Sequence, residues 1–586
     1  MPIPLLPPVA PLIAPDLRPI AAQSRGTLTI YREKGTTRIV DRSLETGVWI
    51  DVEDAPLEVR FHRRDDGSVW AEQAFYAAGD RGIGTASQSS AATLLEIDAR
   101  KVFSLGRLRG FATFTMRSVS GAVVATWSST QCGESYAFAR LDRADSPVNP
   151  TFPTSYDACG LATFALGRVL GVDRGWAMLA NTQLPRTVKN VQPGRYQLEV
   201  VLNHDGGIAE SNLANNAVTV PLVVKYVAVA ADDEDEGDGE GMSASVGSGA
   251  IAVVREQAPR IGPRGAVVRR NDARPAGLVR HQHKDGTVDE HRANGDTAGH
   301  HREPDWVGSQ LRVIDNAIRH DEAVREAGRP KGTISTRADA PAAPVGVDLP
   351  NLKSAPSYGI AGRTAKVRGK RRDYIDFGAL TYNAGPGRLE VEAFRESGTT
   401  LDAFQVFFRD GVRQSRQARG TLIWHAAPGH NHFHFQSFAR YRLLTMGGAV
   451  VRDSGKSSWC IVDTDLVDAT LPGTPNPSIT TEQNGAGGCG SEPGSLWARL
   501  SMSVGSGDYY IQSIAGQSFD ITTIKNGMYR IQIEANPTGV IAETSLDDNV
   551  STRTVSITGS AGKRRVIPRK HPLVIDSPMS VVGVGA

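Results

Sequence analysis

Two segments of this chain repeat one another in order, and that repetition constrains the fold more than any other feature. APDL (Ala14–Leu17) answers LPNL (Leu349–Leu352), and LEVRFHR from Leu57 answers LEVEAFR from Leu389. FATF at Phe111 answers FARY at Phe438, and GAVV recurs at Gly121 and Gly448, each time shortly before a cysteine. The longest match sets Gly194–Asn216 against Gly527–Asn549, with ESNLANN answered by ETSLDDN. Collinear matches at a nearly constant offset mean a duplicated domain. Both copies read as short alternating strands broken by Gly, Asn, Asp and Pro, the pattern of an antiparallel β-sandwich. Tyr529-Arg-Ile-Gln-Ile-Glu alternates in polarity, and Asn536-Pro537 then ends the run. The expected architecture is therefore mainly β: two tandem antiparallel β-sandwich-like domains, at 15–224 and 348–558, joined by a long, largely disordered linker.

The linker, 225–347, differs in composition. The acidic run Asp232–Glu240 opens a charged Gly- and Arg-rich stretch that has too little apolar surface to form a core. That run lacks the ligand spacing of a calcium loop and reads as solvated. One helix is expected at 307–327, where Val307, Leu311, Ile314 and Ile318 share a face and Gly328 and Pro330 supply a stop. The histidines at 281, 283, 291, 300 and 301 could bind metal weakly, though scattered linker histidines usually bind nothing. Residues 559–586, with Lys563-Arg-Arg and Arg569-Lys570, are expected to be a basic flexible tail.

At 586 residues the chain exceeds one hydrophobic core. Its net charge of +2 supplies no whole-protein basic field, so nucleic acid is not an expected partner. The longest apolar stretch, Val218–Ala231, is interrupted by Lys225 and is too short to cross a bilayer, so no transmembrane segment is expected. The N-terminus is apolar but proline-rich and lacks the basic start of a secretory signal. The four cysteines point the other way. Cys132/Cys159 and Cys460/Cys489 form two similarly spaced pairs, which suggests one local disulfide in each copy and an oxidising compartment. Each would stabilise its domain by roughly 3–4 kcal/mol. The cysteines carry more weight, and a secreted or extracytoplasmic location is expected.

The second copy carries the chemistry. Its sequence runs Trp424-His425-Ala-Ala-Pro-Gly-His430-Asn-His432-Phe-His434-Phe435. On a strand, residues at i, i+2 and i+4 face the same side, so His430, His432 and His434 project together. Three convergent imidazoles suit Cu(II) or Zn(II) with a position left open. His425 is either a fourth ligand or a support behind the ligands.

The order WH…HxHxH, then FxxY, then GKSSWC, then DxY, then GxY and NP…E…N resembles the lysyl oxidase family over essentially the whole second copy. The resemblance implies copper at His430, His432 and His434. It also implies that Lys456, four residues before Cys460, crosslinks to Tyr510. The tyrosine is placed by Asp508 two residues earlier and by the downstream segment Gln517-Ser-Phe-Asp520-Ile-Thr522. The joined pair would be lysine tyrosylquinone, a cofactor made from the chain itself. The implied activity is oxidation of a primary amine, protein lysine included, to an aldehyde, with dioxygen consumed and ammonia and hydrogen peroxide released. Asp508 or Asp520 would supply the base. Animal lysyl oxidases carry several disulfides, whereas this copy has one cysteine pair, so collagen or elastin is not inferred as substrate.

The first copy serves as an internal control. Phe103, Leu105 and Arg107 stand where the second copy has His430, His432 and His434, and the Ser128 region and Trp176 answer Lys456 and Tyr510. Strand and turn residues persist while the chemical ones are gone. The rival reading is a tandem β-sandwich binding or adhesion protein whose second copy holds a non-catalytic metal. Lys456 and Tyr510 discriminate, because a structural metal site needs neither.

Overall fold

The computed structural model describes residues 12–21, 25–77, 93–132, 138–141, 143, 146, 164–180, 191–229, 278–282, 288–292, 322–327, 334–395, 400–425, 432–454, 456–474, 489, 493–514 and 516–574. His430, Cys159 and the side chain of Cys132 lie outside the described residues. So do the acidic run, the helical face Val307–Ile318 and the end of the tail. The described chain is mainly strand. Residues 1–231 and 319–586 form one compact unit and 232–318 another, of which the hairpin Leu278–Gln282 with Val288–Arg292 is described.

Each copy builds its own hydrophobic core. One gathers Leu28, Phe61, Phe114, Leu198 and Leu222, the other Phe377, Phe404, Tyr441, Trp459 and Ile531. In the second copy, one sheet runs His432–Phe435, Val412–His425, Thr400–Arg409, Leu389–Phe394, Trp497–Met502. Another runs Val450–Asp453, Ala439–Thr445, Gly527–Ala535, Val550–Thr558, Arg565–Pro568. A third runs Leu352–Ser354, Lys370–Asn383, Ser506–Tyr510, Asp465–Leu466. The last has a direct counterpart in the first copy, ordered Asp16–Ala21, Val48–Glu53, Trp176–Leu179, Phe138–Arg140.

The longest sequence match folds into the same polar knot twice. In the second copy Asn536 Nδ2 donates to Ile541 O at 2.9 Å, Asn549 Nδ2 donates to Glu543 Oε1 at 2.8 Å, and the Leu352 amide donates to Glu543 Oε2 at 2.7 Å. In the first, Asn203 and Asn216 donate to Glu210 Oε1, and the Leu17 amide donates to Glu210 Oε2 at 2.9 Å. Gln73 and Gln405 bracket Ala209 and Ala542 alike. Asn203 and Asn536 both sit in the left-handed region, at φ 41° and 43°, where asparagine is tolerated better than most side chains. A buried carboxylate needs several donors, and the conserved order of Asn, Glu and Asn supplies them in each copy.

These anchors also correct one correspondence. Leu17 pairs with Val52 and Leu352 with Asn383; four residues back along the respective partner strands lie Val48 and Ala379. Tyr510 pairs with Ala379, and the amide of Ala180 donates to Val48 O at 3.0 Å. Ala180, rather than Trp176, therefore stands where Tyr510 does.

Both ends of the second copy extend past their expected limits. Residues 322–327 are helical, Ala323 is fully buried in the second core, and Glu326 meets Arg416 Nε at 2.8 Å. Residues 559–574 are not a flexible tail. Arg565–Pro568 adds an edge strand to Val550–Thr558, and the buried Arg553 guanidinium ties Ser357 O to Arg569 O. The first copy's strand Ala217–Val229 likewise runs past residue 224. Charge suggested that residues 559–574 are solvated, but the backbone groups of Arg565–Pro568 find ladder partners.

Candidate functional site

The histidine strand His432–Phe435 pairs antiparallel with the end of Val412–His425, placing His425 opposite His432 and Ile423 opposite His434. His432 and His434, two residues apart, share a face as the strand period requires. Their ring centroids lie 4.9 Å apart, and His425 lies 4.9 Å from His434 across the strand pair. Three imidazoles thus converge among the described residues. They are not the expected trio, since His430 is not described. Among the described residues no group of three metal-donor side chains is arranged as a cage.

A short segment joins these histidines to Lys456. The Phe435 amide donates to Trp459 O at 2.7 Å, and the Trp459 amide returns a bond to Phe435 O. Ser458 Oγ lies 3.2 Å from His434 Nδ1. That contact orients the His434 ring through Nδ1. Burial and the nearby Lys456 charge hold His425 and His432 below the usual imidazole range, so both are neutral donors at pH 7.

Lys456 and Tyr510 meet. The Lys456 Nζ lies 4.5 Å from the centroid of the Tyr510 ring. The ammonium is buried with no hydrogen-bond partner among the described residues, and burial draws its pKa down to about 8. Tyr510 ends the strand Ser506–Tyr510; Trp459 covers its ring at 4.3 Å between centroids, and the Cys460 amide donates to its hydroxyl at 3.0 Å. Burial and then Asp508 raise the phenol pKa well above its ordinary value. Asp508, two residues earlier, shares the Tyr510 face and is fully buried; burial, then Asp465 and Asp463, push its carboxyl up.

Asp520 does not join this group. Its carboxylate is held at the surface by Arg372 and Thr522. Tyr509, the other tyrosine of the pair, faces away and packs on Tyr358 at 4.8 Å.

Two contributors escaped sequence reasoning. Ser458 gave no signal beyond its place beside Trp459-Cys460. Gly516 sits at φ 89°, and a Cβ there would come within 3.0 Å of the Lys456 side-chain carbons, so only glycine leaves the lysine its room. The disulfide expected here is formed: Cys460 bonds Cys489, whose carbonyl accepts the Phe433 amide at 2.8 Å. One covalent link therefore joins Cys489, bonded to the histidine strand, to Cys460, the hydrogen-bond donor of the tyrosine.

The lysyl oxidase family profile matches residues 407–565, which span the histidine strand, Lys456, the disulfide and Tyr510. The second copy belongs to the lysyl oxidase family. It is 29% identical over 136 residues to lysyl oxidase homolog 4 of Mus musculus, covering 23% of this chain and 15% of that protein. Against lysyl oxidase homolog 3 of Homo sapiens the identity is 27% over 134 residues, covering 23% of this chain and 15% of the relative. Lysyl oxidase homolog 2B of Danio rerio matches at 28% over 173 residues, 29% of this chain and 19% of its own length. The chain thus spans less than a fifth of the length of these relatives. No helix among the described residues is long and apolar enough to cross a membrane.

Proposed function

We propose that the chain is a copper-dependent amine oxidase that converts primary amines, protein lysine among them, to aldehydes with release of ammonia and hydrogen peroxide. The observation that carries this reading is the buried Lys456 Nζ set 4.5 Å from the Tyr510 ring centroid. The amine stands over the phenol ring with no hydrogen-bond partner among the described residues. They suit a crosslink.

The residues present fit the implied group. The imidazoles of His432 and His434, with His425 across the strand pair and His430 two residues before His432 in sequence, are a nitrogen donor set of the kind copper takes. Bound there, copper would supply, with dioxygen as oxidant, the oxidation of the Tyr510 ring to a quinone. The chain's own groups do the positioning. Lys456, with its pKa near 8, keeps a sizeable fraction of neutral amine available to join the ring. The Cys460 amide fixes the phenol oxygen, and Trp459 keeps water off one ring face. Asp508 Oδ2, buried and without a hydrogen-bond partner among the described residues, is the group we assign to take the proton that leaves the substrate carbon. Its raised pKa makes it a stronger base than an exposed carboxylate once ionised. The Cys460–Cys489 disulfide supports a secreted or extracytoplasmic setting.

The test is peptide mass mapping after expression with copper in air. Peptides bearing Lys456 and Tyr510 should be joined, and Lys456→Arg should abolish the joining. Separate peptides from copper-loaded wild-type chain would move the reading to a metal-carrying binding module.

A further inference from the structure

The first copy lacks every proposed chemical residue, yet it touches the segment that positions Tyr510. Its strand Gly167–Val172 meets the loop after Asp465–Leu466 through a parallel bridge between Gly167 and Asp468. Val467 O accepts the Leu166 amide at 2.8 Å and the buried Arg168 guanidinium at 3.3 Å, and Gly167 O accepts the Ala469 amide at 3.2 Å. A side chain at this crossing would have to displace the Asp468 carboxylate: a Cβ on Gly167 would overlap it and stand 2.8 Å from Thr470 Oγ1. Beside it, Phe164 of the first copy packs on Tyr358 at 5.4 Å and on Tyr509 at 5.7 Å. These rings, with Leu380, Tyr382 and Val467, form a separate small core shared by the two copies.

The contacted loop leads straight to the tyrosine. Asp465 pairs with Gly507 and Leu466 with Ser506 in the strand that ends at Tyr510. The Val467 amide donates to Gly505 O at 2.8 Å, and the Tyr509 amide donates to Thr464 Oγ1 at 2.7 Å. A strand's faces alternate, so a one-residue slip would turn Tyr510 away from Lys456 and Tyr509 toward it. Seating the Tyr509 ring against Phe164 makes that slip costly, because it would pull an aromatic ring out of an apolar cluster.

We infer that the first copy is a positioning domain for the second: Phe164 and Gly167 hold the Ser506–Tyr510 strand in the register that presents Tyr510, and not Tyr509, to Lys456. The inference rests on the quinone reading above. It gives the degenerate copy a task that needs no metal and no reactive side chain.

The test uses the full chain, expressed without copper and then loaded in air. Crosslinked Lys456–Tyr510 peptide is followed by mass over time, together with copper per chain. Wild type should crosslink through Tyr510. Phe164→Ala and Gly167→Val should bind copper normally but crosslink at least tenfold more slowly, or partly through Tyr509. Phe164→Tyr, which keeps the ring, and Phe103→Ala, at an exposed site away from the contact, should behave as wild type. Variants crosslinking at the wild-type rate through Tyr510 alone would overturn the inference. So would loss of copper in parallel with the crosslink, which would mark general structural support. A wild-type chain that binds copper and never crosslinks instead overturns the quinone reading, and this inference with it.

Discussion

The Cys460 amide donates to the Tyr510 hydroxyl at 3.0 Å, so the residue that closes the disulfide also holds the phenol. A covalent constraint and a reactive side chain share one backbone group. Opening Cys460–Cys489 therefore acts on both. Cys489→Ser should lower stability by roughly 3 kcal/mol, the scale set by releasing a loop of this length. A thermal melt of the variant against wild type measures it, and an unchanged midpoint would count against the constraint.

Copper loading should saturate at one equivalent per full chain, since the first copy has Phe103, Leu105 and Arg107 at the matching positions. His432→Ala and His434→Ala should each abolish stoichiometric binding. Ser458→Ala should keep the site but weaken it by about 10- to 100-fold, the scale for a residue that orients a ligating imidazole. Competition with a chelator of known affinity separates the two outcomes, and a second tight equivalent would contradict the division between copies.

The rate of crosslinking should depend on pH through Lys456. An ordinary lysine releases its proton near 10.5, whereas burial brings this one to about 8. Only the neutral amine joins the ring, so the rate should climb from pH 7 through 8 and level off near 9. A rate still climbing at pH 10 would show that the lysine is not desolvated as the structure has it.

Glu543 offers a stability test far from the chemistry. Burial raises its pKa to about 7, against the partial opposition of the Asn536, Asn549 and Leu352 donors. Between about 4.5 and 7 the folded chain then holds a proton that the unfolded chain has released, so stability falls as pH rises through that window. Wild type should melt lower at pH 8 than at pH 5 by more than the Glu543→Ala variant does. The same variant, leaving three donors unanswered, should cost about 2–4 kcal/mol at pH 6, and Glu210→Ala should cost the first copy a similar amount.

What the sequence revealed divides along physical lines. The mainly β architecture was legible, because strand periodicity survives without coordinates, whereas Lys456 and Tyr510 were named as a pair only through the resemblance to the lysyl oxidase family. The equivalence of Ala180 and Tyr510 was not legible, since register depends on hydrogen-bond pairing that no local pattern announces. Nor was the order of residues 559–574, where charge suggested solvation but a free sheet edge stood ready to pair. Ser458 and Gly516 act through orientation and space, and those become visible only once His434 and Lys456 are placed.

The twin knots around Glu210 and Glu543 give both copies the same closure, although the histidines, lysine and tyrosine of the proposed site stand in the second alone. Closure of each domain depends on asparagines, a glutamine and a glutamate that take no part in oxidation. Selection on shape and selection on reactivity therefore fall on different residues. The same separation leaves the first copy as a blank scaffold, into which a second reactive centre could be written without disturbing what makes it fold.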